Sequence, residues 1–94
     1  MILLAVSSIL MIKTNVHSSI DNLITELEEK EKNTKFSRLL SICAVFGACR
    51  ISGSHHIFKT PWQGDPRINL QKVGNMAKPY QVRQVVKCLR KLKT

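Results

Sequence analysis

Between residues 48 and 71 the side chains alternate apolar and polar in three short runs, separated by turn-forming residues. A period of two marks β-strands with one buried and one open face. In Ala48 to Ser52, Cys49 and Ile51 share one side while Arg50 and Ser52 share the other. Gly53-Ser54 follows at once, and a two-residue connection of this kind returns the chain antiparallel. In His55 to Lys59 the phase is set by Phe58, which puts His56 beside it and leaves His55, Ile57 and Lys59 opposite, with Ile57 the misfit. Thr60 to Pro66 holds two prolines, a glycine and the only tryptophan, and reads as a loop. In Arg67 to Gln71, Ile68 and Leu70 point one way and Arg67, Asn69 and Gln71 the other. Paired as a meander, the runs gather Arg50, His55, Lys59, Arg67, Asn69 and Gln71 on one open face. Cys49, Phe58, Ile68 and Leu70 then face whatever covers the other side.

The flanking sequence supplies helices to do the covering. Ile20, Leu23, Ile24 and Leu27 recur at helical spacing, with Ser18 or Ser19 as cap and an end near Lys32. Asn33-Thr34 breaks the pattern and offers a new N-cap. Phe36, Leu39, Leu40 and Cys43 then repeat it, with Phe46 near the same stripe and Gly47 as the stop. After a basic Gly-Asn loop, Lys72 to Lys78, Pro79 suits the first turn of a last helix. Its buried stripe is Val82, Val85, Val86, Leu89 and Leu92, and Arg83, Lys87, Arg90 and Lys91 form the opposite face. That cationic face is either ordinary solvation or a phosphate contact. The expected architecture is α+β, with a helical extension over 1–32 and a domain over 33–94.

The charge is unevenly placed along the chain. Residues 1–48 hold five basic and five acidic side chains, whereas residues 49–94 hold ten basic ones against Asp65 alone, so the whole excess of +9 falls in the second half. Such a field favours a polyanionic partner, nucleic acid or an anionic membrane surface, over a neutral small molecule. Met1 to Ile12 is apolar but shorter than the roughly 20 residues that span a bilayer. It lacks the charged start and small-residue cleavage site of a signal peptide, and reads as an extra helical turn or two. Cys43, Cys49 and Cys88 are odd in number and show no C-x-x-C spacing, against a secreted disulfide framework. Cys43 and Cys88 fall on apolar helix faces as small buried hydrophobes. No recognisable motif assembles four zinc ligands. A reduced, cytoplasmic setting without metal or other cofactor is the expectation.

Two of the three histidines, His55 and His56, sit in the Gly-Ser turn and the strand after it. Histidine changes charge near neutrality without a perturbed pKa, which suits it to moving a proton. Cleavage of RNA through its own 2′-hydroxyl needs a base near neutrality, a proton for the leaving oxygen and cations for the phosphorane. A positioned histidine contributes about 10²–10⁴-fold, and Lys and Arg supply the electrostatic part. A two-metal nuclease needs clustered carboxylates, and after residue 48 there is only Asp65. Ser54 as nucleophile would need an orienting acid that is lacking. The plainer alternative is that both histidines are polar strand residues and no more.

Gly53-Ser54-His55-His56-Ile57-Phe58, then Asn69-Leu70-Gln71, then Ala77-Lys78-Pro79-Tyr80-Gln81-Val82-Arg83-Gln84 resemble the HicA toxins, the mRNA interferases of bacterial type II toxin–antitoxin pairs. The resemblance covers roughly residues 33 to 92. It implies a double-stranded-RNA-binding-domain-like α-β-β-β-α fold, metal-independent endoribonuclease cleavage of mRNA, and neutralisation by a HicB-like antitoxin, expected to be acidic. It also implies a catalytic histidine in the Gly-Ser-His turn, His55 by position, with His56 as the fallback. Lys59, Arg67, Lys78 and Arg83 are the expected RNA contacts. Where the family tends to carry a large residue after Phe46-Gly47, this chain has Ala48, which predicts looser packing of a helix on the sheet. The alternative function is a non-catalytic RNA-binding or protein-interaction module of the same fold.

Overall fold

A computed structural model describes residues 19–64 and 66–93. The described chain is α+β: a helix at residues 19–29 (α1), α2 (Phe36–Cys43) running into a 3-10 turn (Ala44–Phe46), strands β1 (Cys49–Ser52), β2 (His55–Lys59) and β3 (Arg67–Gln71), and α3 (Pro79–Lys93). The three strands form where the alternation placed them, and burial alternates along β3, whereas β1 is exposed along its whole length. The sheet is a three-stranded antiparallel meander in the order β1-β2-β3, with Ser52 opposite His55 and His55 opposite Gln71. Gly53 takes φ 60° in the two-residue hairpin, a left-handed conformation that glycine enters without steric cost. Gly47, at φ 113°, ends the 3-10 turn.

The core lies between the helices and one face of the sheet. Phe58, Ile68 and Leu70 are buried together with Phe36, Leu39, Ile42 and Cys43 of α2 and Val82, Val85 and Leu89 of α3. Ile20, Ile24 and Leu27 of α1 belong to the same cluster, so the described part of the N-terminal extension is seated on the domain's own core. Each such side chain contributes about 1.5–3 kcal/mol when fully buried. The α2 stripe differs from expectation by one position: Ile42 is buried and Leu40 is only half-buried. The stripe runs Phe36, Leu39, Ile42, Cys43, and Leu40 lies at its margin.

Three further expectations are corrected. Thr34 does not cap α2. Its hydroxyl donates to the Lys30 carbonyl at 2.7 Å, closing the preceding helix, and Lys35 stands at the N-cap without a side-chain bond. The first amide of α2 is satisfied elsewhere: Phe36 N–H donates to Asn75 O, and Ala77 N–H to Thr34 O, both at 2.8 Å. This antiparallel clasp centred on Lys35 and Met76 joins the segments that precede α2 and α3. Cys49 lies on the helix-side face, opposite Phe58, yet is exposed, as is Ile51 at 64%. The helices cover β2 and β3 and leave the edge strand bare, and Ala48 beside it is exposed as well. Cys43 is buried as expected, but Cys88 only half-buried.

The β2–β3 loop is held locally. Thr60 Oγ1 donates to the Pro66 carbonyl, and Trp62 meets Phe46 edge-on at 6.2 Å with Lys91 Nζ 4.4 Å from its ring centre. The tryptophan is thus a packing residue, with a cation–π contact tying the loop to α3. Met1 to Ile12 lies outside the described residues. Among those described, no helix is long and apolar enough to cross a membrane.

Candidate active site on the open sheet face

Strand alternation sends adjacent residues to opposite sides, so the two histidines do not share a site. His55 stands on the open face at the hairpin end of the central strand, and His56 lies on the helix side, its ring edge-on to Phe36 with centroids 5.3 Å apart. The open face is a grid whose rungs follow from the pairing: Ser52, His55 and Gln71; then Arg50, Ile57 and Asn69; then Lys59 and Arg67. Ile57 is the one apolar side chain on it, half-buried between Arg50 and Asn69.

His55 is held by its diagonal neighbour. Its Nδ1 lies 3.0 Å from Asn69 Oδ1. An amide oxygen only accepts, so Nδ1 carries the proton in this contact. The lone pair that can take up a proton is therefore on Nε2. Because Nδ1–H is present in both the neutral ring and the imidazolium, the contact survives a full cycle of proton uptake and release. Asn69 orients the ring without adding a charge. On the same rung Gln71 Nε2 reaches Ser54 Oγ at 3.4 Å, and Lys72 N–H donates to Ser54 O at 2.9 Å, fixing the hairpin against the end of β3.

The expected RNA contacts divide into three places. Lys59 and Arg67 face each other across β2 and β3 and with Arg50 line a hollow of about 470 Å³ that also includes Ala48, Cys49 and Ile57. Lys59 is four positions along β2 from His55, roughly 13 Å along a strand, so this cluster and the imidazole are separate places on the face. Lys78 belongs to the histidine end. Its N–H donates to Gln81 Oε1 at 3.3 Å, and Gln81 Nε2 donates to Gln71 O at 3.0 Å, on the rung of His55. Arg83 is elsewhere, in the groove between α1 and α3, 3.4 Å from Glu31.

Sequence reasoning put Asn69 and Gln71 on the right face but gave them no part, and it passed over Gln81. Gln81 is 1% exposed and joins the start of α3 to the end of β3. Its signal was a polar residue one position before Val82 on the apolar stripe, where a buried side chain must find partners. Two of the cysteines are poorly suited to act as nucleophiles. Burial pushes the Cys43 thiol up to about 12, far from the thiolate a nucleophile requires. Burial also raises Cys88, against the pull of Lys91 and Lys87. Among the described residues no three His, Cys, Asp or Glu side chains are grouped as a metal ion would need. Compared with protein-family models, curated proteins and solved structures, the chain matches none.

Proposed function

We propose that the protein is a HicA-like mRNA interferase, the toxin of a toxin–antitoxin pair, with a double-stranded-RNA-binding-domain-like fold and His55 as its proton-transfer group. The observation that carries this reading is the 3.0 Å contact between His55 Nδ1 and Asn69 Oδ1 on an open face. It orients an imidazole whose other nitrogen can exchange a proton, within a surface that also holds Arg50, Lys59 and Arg67. In this reading Nε2 takes the proton of a ribose 2′-hydroxyl as that oxygen attacks the adjacent phosphorus. The P–O5′ bond breaks, leaving a 2′,3′-cyclic phosphate, and the 5′-oxygen takes its proton from the solvent that this exposed face admits. No metal takes part in the step. Lys78, near the histidine rung, and the Arg50, Lys59 and Arg67 cluster bind phosphates to either side. An acidic HicB-like antitoxin would silence the enzyme by covering this face.

The test is the chemistry of the product. Single-stranded RNA incubated with the purified protein in excess EDTA is expected to yield fragments ending in a 2′,3′-cyclic phosphate and 5′-hydroxyl. Intact RNA that is nonetheless bound would replace the nuclease by the RNA-binding module, and 5′-phosphate ends would remove the 2′-hydroxyl mechanism.

A further inference from the structure

On the helix side of the sheet, behind His55, a cleft of about 340 Å³ is lined by Lys35, Phe36, Ser37, Leu40, His56, Lys72 and Asn75. Phe36 and Leu40 contribute apolar walls, and His56 adds a flat ring set edge-on to Phe36. Lys35 and Lys72 are exposed cations with no carboxylate partner among the described residues. The side chains of Ser37 and Asn75 likewise make no hydrogen bond among the described residues, although the Asn75 carbonyl is taken by Phe36 N–H. Two lysines, a hydroxyl, an amide and an imidazole around apolar walls match the parts of a nucleotide: phosphate, base edge and base face. Stacking a base on a ring and pairing its phosphate with lysine is how single strands are commonly held.

The cleft and the open face meet at one rim. Lys72 lines the cleft while its N–H binds the Ser54 carbonyl at 2.9 Å, and Ser54 directly precedes His55. His55 and His56 are one residue apart at the start of β2, roughly 3.3 Å along the strand, and point to opposite sides. A chain of nucleotides crossing the hairpin end would pass from one imidazole to the other.

We infer that this cleft is a nucleotide-binding subsite that takes the residue next to the cleaved bond, with Lys35 and Lys72 on its phosphate and Ser37 and Asn75 reading its base. The inference rests on the RNA-cleaving reading of the open face for its place in the substrate, and it gives His56 a part in binding distinct from that of His55. It makes the cleft the source of sequence preference at one position.

Two measurements test it, and the first does not depend on cleavage. Titration with AMP, followed by amide and imidazole NMR, is expected to shift resonances of Ser37, His56 and Asn75, with inorganic phosphate alone shifting fewer of them and adenosine binding more weakly than AMP. These shifts should vanish in the Lys35→Ala, Lys72→Ala double variant, whose exposed substitutions leave the core untouched. Second, that variant should bind a non-cleavable 2′-O-methyl RNA about tenfold more weakly, since its phosphates then meet two fewer cations, and cleave with a raised KM and an unchanged kcat. Absence of AMP shifts at these residues, or an unaltered RNA affinity in the double variant, overturns the subsite. If the wild-type protein leaves RNA uncut while AMP still shifts these residues, the nuclease reading fails and the nucleotide site stands.

Discussion

Two cationic surfaces of this protein are alike in composition and opposite in electrostatic state. On α3, Arg83 is paired with Glu31, Arg90 with Glu28 at 2.6 Å, and Lys93 with Asp21. All three carboxylates come from residues 19–32. On the open sheet face, Arg50 and Lys59 have no carboxylate partner among the described residues. The sequence divides into a balanced half and a strongly basic half, but in space three of the five acids of the first half lie against the helix of the second. Arg50 and Lys59 on the sheet and Lys35 and Lys72 around the cleft behind it are among the cations these acids do not reach. A charge count along a chain therefore gives the size of the excess, while the fold decides which surfaces carry it.

Either surface can be altered while the other is left intact. Removing the sheet cations with Arg50→Ala and Lys59→Ala should weaken RNA binding about tenfold at moderate salt. It should also reduce the slope of log affinity against log salt by about 0.7 for each single-strand phosphate that is no longer neutralised. An unchanged slope would show that phosphates do not lie on this face. Conversely, Glu28→Gln with Glu31→Gln should free Arg90 and Arg83 and raise sequence-independent RNA affinity by a few fold at low salt, with the gain vanishing at high salt. A decrease would mean that the α1 acids support the RNA-binding surface instead of silencing a second one.

The smallest effect concerns the pair that joins α1 to α2. Arg38 Nε and Nη2 both donate to the Glu26 carboxylate at 2.7 Å. That hydrogen-bonded guanidinium holds the Glu26 carboxyl below its usual value. A carboxylate whose pKa is lowered by folding adds stability above its unfolded pKa and loses it as the pH falls through the folded value. Both groups are partly exposed, so Arg38→Ala should cost about 0.5–1 kcal/mol at pH 7 and close to nothing in acid below the folded pKa. Urea midpoints of the two proteins at both pH values check this, and an equal gap at both would place the cost in packing.

Much of the fold was legible because alternation is a local signal. Phe58 alone set the phase of β2, and with it the separation of His55 from His56. The misfit at Ile57 was correctly tolerated, since the rest of its strand outvoted it. What could not be read was anything set by register or by distant pairing. Asn69 was visible on the histidine's face, but its diagonal contact depends on β2–β3 registry that a loop of uncertain geometry does not announce. The ion pairs between α1 and α3 join residues far apart in sequence, so the α3 face stood open between solvation and phosphate contact. Thr34 looked like a cap because its type suits one, and the competing acceptor, Lys30 O, became known only when the end of α1 was placed. The candidate histidine was found by type and turn, whereas its orienting partner needed the sheet.

The central claim is that one imidazole of the adjacent pair does the chemistry and the other does not. The direct measurement is single-turnover cleavage of an RNA by His55→Ala and His56→Ala, at RNA concentrations that saturate each variant. The account predicts a loss of about 10²–10⁴-fold for His55→Ala with RNA affinity retained, and a saturated rate near that of the unaltered protein for His56→Ala. A His55→Ala protein that cleaves at the full rate, or a His56→Ala protein that alone is inactive while folded, would contradict it.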